Sequence, residues 1–217
     1  MKMDGESLLV QTFRQLISLP SPPVEVLKES IVVIATLYKN ALTIPSLALC
    51  SETLQSLMTL MSNPQIQSNE QVQRKVFYAL NILTSKYTAM SEFFVQNNGV
   101  VLLERAMATP SGDEKRRALQ MYRQLFRQFP THPSLSTINV CSQCMEDLTS
   151  TEWRENTPLL EAYAEFLQIA KEQGEQNCLN QLLQSDAFMV VMKERYEGLR
   201  EKARQGRSIR MGIVCNV

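Results

Sequence analysis

A chain of 217 residues, 44% apolar and 20% charged, is long enough to bury a sizeable core and too apolar to stay disordered. Its formal net charge of zero argues against bulk binding to nucleic acid. No apolar run approaches the roughly 18 residues that crossing a bilayer takes, so a membrane-spanning role is not expected.

Only seven glycines occur, and Leu, Gln, Glu, Met and Ala are plentiful, which favours helices. Asp4 and Glu6 precede any apolar stretch, unlike a signal peptide. Five cysteines are scattered along the chain, so reduced thiols in cytoplasm or nucleus are expected. The sequence is also compatible with a piece of a longer protein.

Ser7 is placed to cap a first helix carrying Leu8, Leu9, Phe13, Leu16 and Ile17 at helical spacing. Pro20, Pro22 and Pro23 end it, with Pro23 suited to the first turn of the next helix. That second helix runs to about residue 40, with Leu27, Val33, Ile34, Leu37 and Tyr38 on or near one face. Pro45 breaks the chain, and residues 46–61 form a third helix. A polar connector follows Asn63 and Pro64 and reads as exposed linker.

Residues 74–103 form the clearest unit: a long amphipathic helix, a short second helix, a stop at Asn98-Gly99, then another apolar helix. Val76, Ala79, Leu80, Leu83 and Tyr87 mark its buried face, and Asn98-Gly99 tolerates a left-handed stop. Asp113 then caps a helix to about residue 129, with Ala118, Met121, Tyr122, Leu125 and Phe129 inward. Helices are expected over 134–148, with a split near Thr137, and from Pro158 to Gly174, with Leu160, Tyr163, Ala164 and Leu167 inward. A capping box or turn is expected at 149–152, and two more helices at roughly 175–185 and 187–204. Alternating strand patterns are absent, so the fold class is all-α.

Self-comparison places Leu37, Leu83, Leu125 and Leu167 at one equivalent site, separated by 46, 42 and 42 residues. Val33, Ala79, Met121 and Tyr163 align beside them, as do Ile34, Leu80, Tyr122 and Ala164. Such spacings fall in the window of about 40–47 residues typical of HEAT and armadillo repeats. About four units, each needing its neighbours to bury an apolar face, predict a short α-solenoid. A helical bundle is the alternative. The expected division is a repeat domain over 1–198 and a basic tail over 199–217.

The run Tyr78-Ala79-Leu80-Asn81-Ile82-Leu83 resembles the third-helix core of armadillo repeats, and Phe94, Asn98-Gly99 and Leu103 fit the helices and turn that follow. This resemblance covers about 30 residues; the other units keep the period but lose the asparagine and the glycine turn. It implies a right-handed solenoid whose third helices line a concave groove. Residues 75–103 are also similar to a repeat of the armadillo-type nucleotide exchange factors of seventy-kilodalton heat-shock chaperones, although their Gly-Gly turn is Asn-Gly here.

Repeat alignment then predicts a groove-facing column: Lys28, Ala35 and Lys39; Arg74, Asn81 and Ser85; Arg116, Arg123 and Arg127; Pro158, Glu165 and Ile169. Six cations against one anion would focus positive potential suited to an acidic peptide or an acidic amphipathic helix. Asn81 is available to a partner backbone and Tyr78 adds apolar area. The same positions also read as solvated helix faces, since long basic side chains cover apolar flanks well. No stacking aromatics interleave the cations, which disfavours nucleic acid.

Chemistry-bearing motifs are sparse. Cys141 and Cys144 have CxxC spacing, but no second pair or histidine cluster completes a zinc site, and small buried thiols account for them better. His132, the lone histidine, has no sequence partner for catalysis. Without a phosphate loop, nucleophile elbow or HExxH, neither an enzyme, a cofactor, a metal nor a small-molecule substrate is expected. Met58, Met61, Met189 and Met192 read as core filler, and Trp153 as a loop anchor or a partner contact. The tail carries Arg200, Lys202, Arg204, Arg207 and Arg210, then a short apolar end; Arg207-Ser208 matches a weak basophilic phosphorylation pattern. These readings converge on a non-enzymatic protein-binding scaffold, with the chaperone exchange factor as the alternative.

Overall fold

Caps and prolines set the helix boundaries. In the computed structural model the described residues are 5–41, 46–67, 69–109, 112–149 and 157–174, with single positions 180, 184, 190, 193 and 197. Among them are ten helices and no strand: α1 (Gly5–Ile17), α2 (Val24–Asn40), α3 (Leu47–Met61), α4 (Pro64–Gln67), α5 (Glu70–Lys86), α6 (Thr88–Gln96), α7 (Gly99–Met107), α8 (Gly112–Gln128), α9 (Thr137–Thr149) and α10 (Thr157–Glu172). None of the described helices is long and apolar enough to cross a membrane. The turn expected at 150–152, Trp153, Met189, Met192, most of 175–204 and the tail lie outside the described residues.

Several local expectations need correction. α1 starts at Gly5, two residues before Ser7, and buries Val10 and Phe13 while Leu8 and Leu9 are exposed. Pro23 is the N-cap of α2 rather than part of its first turn. The connector after Asn63 is itself the short helix α4, which buries Ile66. Asp113 lies inside the first turn of α8 instead of capping it. True caps are Ser46, whose hydroxyl accepts from the Leu49 N–H at 3.2 Å, and Asn69, which accepts from Val72 N–H at 3.1 Å.

The chain divides into two compact units, Met1–Leu103 and Glu104–Val217. In the first, α1 packs on α2 and α3, and α5 packs on α2, α3 and α6. α2 and α5 run parallel, pinned at both ends. Near their starts, the Lys28 ammonium donates to Gln71 Oε1 at 2.8 Å. At their ends, Lys86 Nζ donates to the carbonyls of Tyr38, Lys39 and Ala41 at 2.8, 3.0 and 3.0 Å. Three orphan acceptors at the close of α2 are thereby satisfied by a cation at the negative end of its dipole.

This pairing revises the repeat register. Buried Leu27, Ile31, Ile34, Ala35 and Tyr38 fall on buried Val72, Val76, Ala79, Leu80 and Leu83 at a separation of 45, not 46. Leu37 is only half-buried and Val33 is 48% exposed, so they are not the inward pair. Between α5 and α8 the separation of 42 holds in full: the eight buried residues of α5 recur position by position as the eight of α8. In α10 it fails, because it would set buried Leu119 and Phe126 on exposed Glu161 and Gln168.

Two close fits are sensitive to substitution. Asn98 adopts φ 63°, and a Cβ added at Gly99 would fall 2.5 Å from the ring of fully buried Phe94. Gly99→Ala should cost about 1–3 kcal/mol in urea denaturation, because Phe94 has no room to yield. In the second unit, α8 packs on α10, and the buried Lys115 ammonium pairs with Asp147 of α9, which also accepts from Tyr163 Oη at 2.6 Å and Gln143 Nε2 at 3.1 Å. Lys115→Met should cost about 3–5 kcal/mol by stranding a buried carboxylate. Adding Asp147→Asn, which keeps an acceptor for Tyr163 without the charge, should restore more than half of that loss.

Candidate functional site

The expected basic column falls on both units and is altered in each. In the first unit, Arg74, Asn81 and Ser85 are exposed on α5, and Tyr78 beside them is 37% exposed. Their counterparts 45 residues earlier are Glu29, Thr36 and Asn40, all exposed. Lys28 and Lys39 therefore leave the column. Lys28 turns to the flank facing α5, where its side chain is only 14% exposed, and Ala35, expected outward, is buried.

In the second unit, Arg116, Arg123 and Arg127 keep the outward phase of α8 that Arg74, Asn81 and Ser85 keep on α5. On α10, Pro158 is exposed and Glu165 partly so, but Ile169 is 2% exposed and belongs to the core. Outward basic side chains in this register thus occur on α5 and, separately, on α8, and the register does not extend to α2 or α10 as expected.

Charge pairing changes the electrostatics further. Lys28 pairs with Glu25 at 2.9 Å and Arg74 with Glu70 at 2.5 Å. Arg116 and Arg117 share Asp113 at 2.9 and 3.0 Å, and Arg123 pairs with Glu165. Burial alone would raise the Asp113 carboxyl, but hydrogen bonds from Arg116 and Arg117 outweigh it and hold the group below its ordinary value. Among the described residues, Lys39 and Arg127 are the cations of the predicted set with no carboxylate partner. Burial, then repulsion from Arg127, lowers Arg123 from its ordinary value. Positive potential on α8 is therefore concentrated at its C-terminal end.

Three of these carboxylates stand three or four residues before their cation, a helical pairing visible in the sequence once the register is known. Glu165 is non-local and left no such signal. The buried Lys115, Asp147 and Tyr163 cluster was also missed, although Lys115 occupies the repeat position of buried Gln73. Gln73 plays a parallel part, donating to the Gln67 carbonyl, while its Oε1 has no partner among the described residues.

The described residues contain no group of three His, Cys, Asp or Glu side chains able to hold a metal. Cys144 is a buried free thiol whose pKa is raised by burial and then by Asp147, the reverse of a reactive cysteine. Cys141, also buried, is disulfide-bonded. The two are not joined, and the expectation of uniformly reduced thiols does not hold. His132 accepts from the Ser134 N–H at 3.3 Å, a turn contact. A shallow recess of about 280 Å³ between α3 and α6, lined by Leu47, Ala48, Met90 and Phe93, lies apart from the predicted column. No protein-family model matches this chain, and a comparison with curated proteins found no match.

The Asp113 pairing has a pH signature. Its folded pKa lies below the ordinary 3.8, so its stabilisation is present above about pH 4 and is lost as pH falls through the folded value. Asp113→Asn should therefore lower stability at neutral pH by less than about 1 kcal/mol, since the pair is partly exposed. Wild type and variant should converge in acid, as followed by denaturation at a series of pH values.

Proposed function

We propose that this protein is a non-enzymatic interaction scaffold, a short right-handed α-solenoid of about four armadillo- or HEAT-type units that binds an acidic partner segment through outward helix faces. The observation that supports it most is the coincidence of the eight buried positions of α5 with those of α8. A shared inward phase leaves a shared outward phase, and that phase is free of core duty. On α5 it presents Arg74, Tyr78, Asn81 and Ser85; on α8 it presents Arg116, Arg123 and Arg127.

The α8 face is the stronger candidate for an acidic segment. Arg127 has no carboxylate partner among the described residues, whereas Arg116 and Arg123 already hold Asp113 and Glu165. An acidic amphipathic helix would engage Arg127 first and share the other two guanidinium groups with their present partners. Rim charges of this kind act mainly on association rate and salt dependence.

Arg127→Glu is the cleanest test, because reversing Arg116 or Arg123 would also set like charges against Asp113 or Glu165. With a labelled acidic helical peptide as the probe, wild type should bind in a salt-sensitive way and Arg127→Glu should weaken binding about tenfold, roughly 1.4 kcal/mol. Helicity should not change. Undiminished affinity in that variant would sink the assignment of the face.

A further inference from the structure

The Arg123–Glu165 pair differs in kind from the other pairs on the α8 face. Asp113 holds Arg116 and Arg117 from the first turn of their own helix, where a carboxylate also complements the positive end of the helix dipole. Glu165 comes from another helix and stands midway along α10, so it has no such duty. Its side chain is 44% exposed, against 24% for Arg123. Nor does α10 need the pair in order to dock: Phe166 is buried against Tyr122 and Phe126, and Tyr163 donates to Asp147.

Around Glu165, α10 has the composition of the ligand proposed for α8. Glu161, Glu165 and Glu172 fall at helical spacing, with Gln168 donating to Glu172 at 3.2 Å. Glu161 is exposed and has no ion pair among the described residues. On α8, Arg127 stands one turn beyond Arg123, exposed and close enough to repel it. Two guanidinium groups a turn apart are thus served by one carboxylate, and like charges at that spacing destabilise a helix. A second carboxylate relieves that repulsion, and an acidic partner is the source of one.

We infer that Glu165 is a built-in competitor on the α8 face: it holds Arg123 in the free protein and competes for it with an acidic partner helix that brings carboxylates to Arg123 and Arg127. The inference rests on the reading of α8 as the binding face. Because an ion pair this exposed contributes little, Glu165 lowers partner affinity by a small factor, about threefold, rather than closing the face. Asp113 is no competitor of this kind, since giving up Arg116 and Arg117 would also leave the first turn of α8 without two of its contacts.

The probe is a fluorescently labelled helical peptide with glutamates four residues apart, titrated into the whole chain at low salt and followed by anisotropy. Glu165→Gln should tighten binding about threefold. Glu161→Gln removes the same charge one turn earlier without freeing an arginine, and should change affinity far less. In an Arg123→Gln background the two substitutions should act alike. Circular dichroism and Tm should match wild type, and Glu165→Ala repeats the test without an amide able to hydrogen-bond Arg123. A gain for Glu165→Gln no larger than for Glu161→Gln would overturn the inference, as would a clearly lowered Tm, which would mark the pair as structural; either result leaves the α8 reading in place. No saturable binding by wild type or by Glu165→Gln would overturn the α8 reading itself, and the inference with it.

Discussion

An α-helix ends with four carbonyls that have no partner of their own, and their combined dipoles give that end a partial negative charge. In this protein the Lys86 ammonium, closing α5, gathers three carbonyl oxygens at the close of α2. Three donors meeting three acceptors satisfy both groups at once. They also prevent one helix from sliding along the other, because a shift of one turn, about 5.4 Å, would break every contact. The axial match between α2 and α5 follows, and with it which residues of each helix point inward, outward or toward a neighbour.

The second unit solves a similar problem below its surface. Lys115 and Asp147 are withdrawn from water, and Tyr163 and Gln143 complete the acceptor demands of the carboxylate. Taking two charges into the interior gains little net stability over a well-packed apolar pair, since desolvation offsets most of their attraction. What such a cluster supplies is position: α8, α9 and α10 can dock closely only where all four groups meet. Around it Phe166 packs edge-on to Tyr122, with centroids 6.0 Å apart, and tilted on Phe126 at 5.8 Å, which supplies apolar burial that the charges do not.

The all-α class, most helix spans and the 42-residue spacing of α5 and α8 were legible in the sequence, because amphipathic periodicity and proline breaks act locally. The phase of α2 was not. Val33 and Leu37 look like core residues in isolation, and only the contacts of Lys28 and Lys86 reveal that Ile31 and Ala35 are buried in their stead. That one-residue slip carried Lys28 and Lys39 into the expected column and made it look more basic than it is. Neutralisation of Arg74 and Arg116 was encoded nearby, in Glu70 and Asp113, but its meaning depended on the same phase. Neither the Lys115 cluster nor the Arg123–Glu165 pair leaves a local trace, since each joins residues more than thirty positions apart.

α5 and α8 bury the same eight positions, yet at three of them the side chains differ in kind: Val72, Gln73 and Thr84 in the first, Glu114, Lys115 and Phe126 in the second. The five positions that are apolar in both helices do not tell the two apart, and a chain made of such repeats risks docking the wrong helix in the wrong place during folding. Gln73 and Lys115 are among the residues that remove that ambiguity. Lys115 seated where Gln73 belongs would meet the Ile66 and Gln67 carbonyls with no carboxylate to balance its charge, and Gln73 seated beside Asp147 would leave that carboxylate without its cation. Buried polar side chains such as Gln73 and Lys115 thus work as address labels, penalising exchange between the two helices.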